Sequence, residues 1–191
     1  NNAPILLSGK GLDIWGPARI NKCQNYNANP TDLTNVSLSG AATLSVVSDT
    51  AALAAAGLSE ICSGGKVYRL DNSASGSAST ATFAGTAGNL NPHVLSVWWR
   101  GSGNADLRFN NGGLINHPLG AAYARVSAVQ APNSAAFPLY INARPGAIVY
   151  FVLNQLEEGS IVFPPIVTTG AAATREASVE TIPDFAALAA S

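Results

Sequence analysis

The chain has 191 residues and a net charge of −1, with charged side chains at only 11% of its positions, against roughly 25% in ordinary globular proteins. This length is sufficient for one domain with its own hydrophobic core. No basic stripe is present, which argues against a nucleic-acid partner, and no apolar run approaches the length of about 18 residues that a membrane span needs. A polar surface with few charges instead suits protein–protein assembly or neutral ligands such as sugars.

Methionine is absent from the sequence, so we expect the chain to be a processed product or a fragment of a longer protein. No basic segment followed by an apolar stretch opens the sequence, so no signal peptide is predicted. Cys23 and Cys62 are the only cysteines. They allow one disulfide, but they do not form a dense disulfide framework, and we expect two free, buried thiols.

The N-terminal residues 1–20 place glycines and prolines among apolar residues, which is typical of a connector or arm. One short strand is expected near Pro4–Leu7. Trp15 is a candidate assembly contact that pins the arm to the body or to a neighbouring subunit, or alternatively a residue that caps the core.

The C-terminal residues 177–191 begin as predicted coil, and Pro183 then opens a single helical turn. Phe185 and Leu188 lie three positions apart on that turn, so they are candidate contacts with a partner. A frayed tail is the alternative.

Between the two ends, short apolar and alternating stretches indicate strands, with one short helix among them. The helix is expected at Ala51–Gly57, with Asp49 or Thr50 at its start, plugging one end of a sandwich. Asp71–Thr80 is expected to be a loop that buries nothing. Val94–Arg100 and Ala105–Phe109, joined by a glycine-rich turn, indicate a hairpin. The other predicted strands are Val36–Ser39, Ala42–Ser48, Lys66–Leu70, Tyr123–Val129, Pro138–Asn142 and Ala147–Leu153.

Many short strands with regularly spaced turn signals and almost no helix predict an antiparallel sandwich or barrel. We expect one domain from about residue 21 to residue 180, preceded by the arm of residues 1–20 and followed by a tail of residues 181–191.

Catalytic chemistry has little support in the sequence. His93 and His117 are the only histidines, and each is next to proline in a context typical of a solvated loop. Glu157 and Glu158 are adjacent, so on a strand they point to opposite faces and do not form a glycosidase pair. No metal site, cofactor motif or nucleophile motif is found. We therefore predict that the chain is not an enzyme.

A set of polar and aromatic side chains alternates along three predicted strands, and it forms one face if those strands are neighbours. One interpretation is a sugar platform, in which aromatic rings stack on pyranose faces and planar polar groups bind hydroxyls. The other is an internal network, with Arg100 or Arg125 paired to Glu157, that orders the sandwich. The glycan-binding candidates are Trp98, Arg100, Tyr123, Arg125, Gln155 and Glu157, with Ser96 and Ser127 on the same face.

Six short motifs follow one another along the chain. They are Val67–Leu70 before a serine-rich loop, Leu95–Arg100, Gly101–Gly103, Tyr123–Ser127, Gln155–Gly159 and Thr168–Glu176. In this order they resemble a domain of bacteriophage virion proteins that is similar to carbohydrate-binding modules. The sequence departs from that pattern at the apolar, proline-rich segment 161–165, and residues 1–65 match only in texture.

The resemblance implies an all-β, antiparallel jelly-roll β-sandwich with short terminal arms, located in a virion. It implies a module of a tail fibre, tailspike or head fibre that binds host surface polysaccharide, forms a homo-oligomer, expected to be a trimer, and contacts other virion proteins. Two alternatives remain open. One is a capsid decoration or appendage-anchoring protein without glycan binding, and the other is an accessory domain of a larger depolymerase. No cofactor is implied, and the sequence does not choose the glycan or the host.

Overall fold

The structure, a computed structural model, describes the backbone of residues 5–8, 11–15, 18–109, 112–175 and 179–183 and the side chains of residues 18–109 and 112–175. Within these ranges the regular secondary structure is almost entirely β-strand, with one short α-helix. Two antiparallel five-stranded sheets pack face to face, so the expected all-β sandwich is confirmed. We call them sheet A and sheet B.

Sheet A has the strand order β10-β9-β12-β7-β4. Its strands alternate between side chains in the core and side chains on the outer face, as expected of a sheet with one wet side. The strands are β4 (Val36–Ser39), β7 (Ser79–Phe83), β9 (Asn104–Arg108), β10 (Leu114–Pro118) and β12 (Tyr140–Ala143).

Sheet B has the strand order β11-β8-β13-β6-β5. Strands β8 and β13 are the longest that the structure describes. They correspond to two apolar stretches predicted from sequence, extended at their ends. The strands are β5 (Thr43–Ser48), β6 (Lys66–Asp71), β8 (His93–Ser102), β11 (Ala124–Gln130) and β13 (Ile148–Glu158).

The core between the sheets is centred on three buried aromatic rings. Tyr68 and Phe151 stack with their ring centroids 5.3 Å apart, and Phe83 meets Phe151 edge-on at 5.7 Å. Such offset and edge-on pairs contribute about 0.5–1.5 kcal/mol beyond the area they bury. Cys23 lies in the same core, and Cys62 is buried elsewhere; both thiols are free, as predicted.

The predicted hairpin between β8 and β9 is wrong, because the two strands belong to different sheets. The turn between them carries the chain across the sandwich. Gly101 and Gly103 have φ values of 148° and 81°, which residues other than glycine rarely adopt. A Cβ on Gly101 would also lie 1.8 Å from the carbonyl oxygen of Ile148. A glycine-rich turn therefore ends one sheet here and begins the other.

The serine-rich loop after β6 also differs from the prediction, since it buries Asn72 to 1% exposure. The Asn72 amide donates to the carbonyl oxygens of Ser77, Ala143 and Arg144, and its oxygen accepts from the hydroxyl of Ser79. The Asn72 amide therefore provides hydrogen-bond donors for these three backbone carbonyl groups. Strand β7, which begins at Ser79, was not predicted.

The helix α1 (Thr50–Ala55) is confirmed close to its predicted position, but it does not plug an end of the sandwich. Its buried residue Leu53 packs in a second apolar cluster with Val67 and Val152. These two valines alternate with core residues along β6 and β13, so they lie on the outer face of sheet B. The helix therefore covers part of that face.

Strand β13 contains a β-bulge, because three steps from Val152 to Gln155 oppose two steps on β8. Leu153 in the bulge has a φ of 55° and its N–H donates to the carbonyl oxygen of Asn27 at 2.6 Å. Buried amides hold the segment in place. Asn21 and Asn27 each donate to the carbonyl oxygens of both Asn154 and Ile166.

The terminal segments contain short strands of their own. They form a compact unit of residues 1–20 and 174–191, separate from the unit of residues 21–173 that holds the sandwich. A three-stranded sheet has the order β1-β2-β15, and a two-stranded sheet pairs β3 with β14. The proposed boundaries of arm, domain and tail remain a prediction. The strands are β1 (Ile5–Ser8), β2 (Gly11–Trp15), β3 (Arg19–Asn21), β14 (Ala173–Arg175) and β15 (Val179–Pro183).

The expected strand near Pro4–Leu7 corresponds to β1. The expected coil at 179–183 is wrong, since these residues form β15. The predicted contacts Phe185 and Leu188, and the side chain of Trp15, lie outside the described residues. Among the helices that are described, none has the length and apolar character needed to cross a membrane.

Candidate functional site

The outer face of sheet B carries the polar and aromatic side chains that sequence alternation grouped together. Strands β11, β8 and β13 are adjacent and antiparallel, and their register places Arg125 opposite Trp98 and Gln155 opposite Ser96. The structure therefore brings all six glycan-binding candidates to one sheet, where they separate into two groups. Their role in binding a ligand remains a prediction.

The first group is built around the carboxylate of Asp49. Arg100 donates to both of its oxygens, from Nε at 2.8 Å and from Nη2 at 2.7 Å, and the Tyr123 hydroxyl donates to it at 2.7 Å. Such a two-pronged contact is the strongest geometry that an arginine makes with a carboxylate. Asp49 occupies the N-cap position of α1, but its side chain makes no capping hydrogen bond, because these two partners use it.

Burial raises the pKa of the Tyr123 hydroxyl well above its ordinary value, and the neighbouring Asp49 carboxylate adds to this effect. The phenol therefore remains a hydrogen-bond donor over the physiological range. Arg100 and Tyr123, both predicted from sequence, thus meet through a third residue that the sequence did not indicate. Asp49 lies 51 positions from Arg100, and nothing local in the sequence links them.

Tyr150 lies between two guanidinium groups in a row across the sheet. The register places it opposite Arg100 on β8 and opposite Arg69 on β6. The Arg100 guanidinium carbon lies 4.1 Å from the centre of the Tyr150 ring, and Arg69 Nε donates to the Tyr150 hydroxyl at 3.2 Å. All three side chains are half-buried, so they are partly open to solvent. We call Arg69, Tyr150 and Arg100 the platform.

Each arginine of the platform has its own carboxylate. Asp71 binds Arg69 at 2.5 Å, as Asp49 binds Arg100. Hydrogen bonds from Ser73 hold the pKa of Asp71 below its ordinary value, and the charge of Arg69 adds to this effect. The platform therefore offers planar donors and acceptors with no excess charge, which suits hydroxyl groups better than anions.

Tyr150 and Arg69 are the residues of this surface that sequence reasoning missed. Tyr150 lies in a stretch that is otherwise continuously apolar, a composition typical of a strand covered on both faces. Its position could have revealed it, because alternate residues of one strand share a face. Tyr150 lies two residues from Ile148 and two from Val152, so the three side chains share one face of β13. Trp98 is half-buried and packs against the apolar cluster under α1.

The second group lies where the segment 163–166 crosses the same face. Arg125 donates to the Ser96 hydroxyl at 3.2 Å and to the Phe163 carbonyl oxygen at 2.5 Å. The Ile166 N–H donates to the Gln155 side-chain oxygen at 2.8 Å. Glu157 is 1% exposed. Burial lowers the pKa of Arg125, and the charge of Glu157 opposes that shift.

These contacts favour the ordering network for Arg125, Gln155 and Glu157 and an exposed role for the platform. The predicted pairing of Arg100 with Glu157 is wrong, because Arg100 binds Asp49. The pairing of Arg125 with Glu157 remains a prediction. The sequence grouped these residues by alternation alone. Alternation does not show that the segment 163–166 covers one part of this face and leaves the platform open.

The sequence suggested that both histidines are solvated loop residues, and this prediction is wrong. His93 begins β8 and is completely buried, with Nδ1 2.7 Å from the Asn91 carbonyl oxygen and Nε2 3.1 Å from Lys22 Nζ. His117 lies in β10 and stacks on Trp99 at 5.6 Å between centroids. Within the described residues, no group of three or more His, Cys, Asp or Glu side chains is arranged to hold a metal ion.

Comparisons with known proteins give a likeness of fold. No protein-family model matches the chain, and no curated protein matches its sequence. Among solved structures, the chain is similar to the enzymatically active domain of tailspike protein 4 from bacteriophage CBA120, with 16% identity and a TM-score of 0.47. The likeness covers 71% of this chain but 21% of that one, so this chain spans about a fifth of its length.

The prediction that the chain is not an enzyme is contradicted, because the similar domain is an enzymatically active one. That prediction is withdrawn.

Proposed function

We propose that this chain is a β-sandwich module of a bacteriophage virion appendage, such as a tail fibre, tailspike or head fibre, and that its platform binds a neutral host surface polysaccharide. The motifs that run in order from Val67 to Glu176 support the virion setting. The platform supports the ligand. One observation carries the proposal: Tyr150 lies partly exposed between two arginines whose charges are already neutralised.

The chemistry of the platform fits sugar hydroxyls. A guanidinium presents several N–H donors in one plane, and a tyrosine offers both an apolar ring and a hydroxyl. Because Asp49 and Asp71 hold the two arginines in place, little side-chain freedom is lost when a ligand binds. A neutral polysaccharide has no charge to be repelled by these carboxylates.

The test is binding to an array of purified bacterial capsular and O-antigen polysaccharides, followed by calorimetric titration of the strongest neutral glycan. Tyr150→Ala should weaken binding about tenfold, which corresponds to about 1.4 kcal/mol. Tyr150→Phe should retain most of the affinity, because it keeps the ring. Leu90→Ala, which trims a side chain that is 58% exposed elsewhere, is the matched control. Equal binding by Tyr150→Ala and the unaltered chain would reject the platform.

The same preparations should be assayed for release of reducing ends from each polysaccharide. Cleavage would assign the chain to a depolymerase, and binding without cleavage would leave it as a recognition module. If no glycan binds, the capsid decoration or appendage-anchoring alternative gains weight.

Self-association into a trimer is a further part of this proposal. Exposed apolar side chains lie close together along the chain after β13, with Ile161 62%, Val162 37% and Val167 42% exposed. Apolar side chains that form one contiguous exposed patch mark a contact with another protein, whereas apolar side chains exposed singly do not. Light scattering at two concentrations a hundredfold apart should give a constant trimer mass. A constant monomer mass would reject self-assembly by this chain.

A further inference from the structure

The outer face of sheet A, opposite the platform sheet, carries a second array of polar side chains that the proposed function does not use. In one row Arg108 pairs with Tyr140, which pairs in turn with Thr82. In the next row Asp106 pairs with Asn142, and Asn142 with Thr80. Polar side chains thus stand next to one another in two adjacent rows. In an ordinary sandwich the polar residues of an outer face are scattered.

A cavity of about 190 Å³ lies over these rows and is lined by Ser39, Thr80, Thr82, Arg108 and Tyr140. Thr82 also lines a neighbouring cavity of about 450 Å³, so the two adjoin. The second cavity is less polar, with Val36, Phe83 and Pro138 in its lining. We call the two cavities together the sheet A groove. It has a polar end with an aromatic ring and a less polar end.

Arg108 is the charged group of the groove, and within residues 18–109 and 112–175 it has no carboxylate within ion-pair distance. The nearest acidic residue in sequence, Asp106, is engaged by Arg144, with nitrogen–oxygen distances of 2.9 and 3.2 Å. The platform differs in this respect, because there each arginine has a carboxylate. The groove therefore presents an uncompensated guanidinium beside a half-exposed tyrosine.

Asn142 lies beside Thr80 at the polar end of the groove. It is 6% exposed, and its amide nitrogen donates to the Thr80 hydroxyl at 2.8 Å. Its amide oxygen has no donor among the described residues and is closed off from solvent, so a ligand in the groove would not contact it. Asn142 therefore contributes by holding the Thr80 side chain, which lines the cavity.

We propose that the sheet A groove binds an acidic saccharide. Its anionic group, a sugar carboxylate or a phosphate substituent, pairs with Arg108. A pyranose ring lies against Tyr140, its hydroxyl groups bind Thr80, Thr82 and Ser39, and neighbouring sugar units extend into the less polar cavity. A guanidinium binds a carboxylate or phosphate through two parallel hydrogen bonds. A tyrosine ring packs well against the apolar face of a pyranose ring.

Defined probes test this site independently of any host polysaccharide. Tetragalacturonate carries a carboxylate on every unit, and its fully methyl-esterified form is the matched neutral probe. Galactose 6-phosphate and galactose form the corresponding pair for phosphate. Binding would be followed by calorimetry and by amide chemical-shift changes, which report directly whether β7, β9 and β12 are affected.

We expect one acidic probe to bind, with shift changes at Thr80, Thr82 and Tyr140, and its neutral partner to bind at least tenfold more weakly. Arg108→Gln should reduce binding of the acidic probe to the level of the neutral one, and Arg108→Lys should restore part of it. Lys66→Gln removes a positive charge from an exposed position on sheet B and should change the affinity less than twofold.

The pair that shows the difference identifies the anionic group as carboxylate or phosphate. Equal binding of acidic and neutral probes, no binding of either acidic probe at millimolar concentration, or full binding by Arg108→Gln would overturn the proposal. Failure of the platform on sheet B would leave this result unchanged, since neither the probes nor the variants involve Tyr150.

Discussion

Asn25 and Asn154 exchange two side-chain hydrogen bonds, one of 3.0 Å and one of 2.8 Å, although they are 129 positions apart in the sequence. Both residues are completely buried. Each amide satisfies the donor and the acceptor of the other, so the pair ties the segment before the sandwich to the bulge of β13. A reciprocal pair of this kind adds little net free energy, but it is costly to break on one side.

Asn25→Ala should therefore lower the free energy of unfolding by about 1–3 kcal/mol, because the Asn154 amide is left buried without a partner. Urea denaturation followed by fluorescence measures this change. Asn133→Ala, at an exposed position, is the control and should lie within about 0.5 kcal/mol of the unaltered chain. In the double variant Asn25→Ala/Asn154→Ala the costs should not add. Additive costs would contradict a direct pairing.

Asp49→Ala should destabilise the chain by about 2 kcal/mol, since it leaves Arg100 and Tyr123 without the carboxylate that both use. The loss should be larger than that for Glu60→Ala, an exposed acidic residue close to it in the chain. It should also loosen the platform, and with it any glycan affinity. An unchanged midpoint of thermal unfolding for Asp49→Ala would show that the three side chains do not act together.

Alkaline pH should destabilise the fold. Burial raises the pKa of Cys23 to about 12, of Cys62 to about 11 and of Tyr68 to about 12, from ordinary values of 9.0 for the thiols and 10.0 for the phenol. Their neutral forms are thus favoured in the folded state, and the unfolded chain loses these protons first. The stabilising contribution is complete below pH 9 and decreases as the pH rises from 9 towards 12.

Urea midpoints measured at pH 8, 9, 10 and 11 should remain constant over the first interval and then decrease. Cys23→Ala should show a shallower decrease above pH 9, because one of the titrating groups is gone. A midpoint independent of pH up to 11 would mean that these groups are not buried as described.

Gly101→Ala should be among the most damaging single substitutions in the chain. The added Cβ would meet the carbonyl oxygen of Ile148, and the φ of 148° is unfavourable for alanine. We expect a loss of at least 3 kcal/mol or failure to accumulate folded protein. Gly76→Ala is the control, because its Cβ would have no atom within 4 Å. Similar stability for both variants would contradict the turn described between the two sheets.

Alternation along single strands was sufficient to predict much of sheet B. Ser96, Trp98 and Arg100 share a face, and so do Arg125 and Ser127, because successive side chains of a strand point to opposite sides whatever the strand pairs with. The grouping of three strands also proved correct. Local sequence carries this information fully, since the period of two is a property of each strand.

Pairing between distant segments could not be predicted in the same way. The turn Gly101–Gly103 is compatible with a hairpin and with a passage from one sheet to the other. The two cannot be told apart without the pairing of β13 with β8, which is not visible in the sequence. Asp49 and Arg100, like Asn25 and Asn154, are joined by the fold and not by spacing. Arg108 and Tyr140 likewise form a groove only because β9 and β12 are neighbours, so the sheet A groove left no signal in the sequence.

The bulge in β13 sets the phase of everything that follows it. Upstream, Tyr150 faces outwards and Phe151 faces the core; downstream, Gln155 and Glu157 face outwards and Leu156 faces the core. Because the bulge gives β13 one residue more than β8 across this stretch, the same sequence paired without the bulge would reverse the downstream half, placing an amide and a carboxylate in the core and a leucine outside. The extra residue thus decides which face Gln155 and Glu157 occupy, and a substitution that abolished the bulge without shortening the chain would turn both side chains inwards.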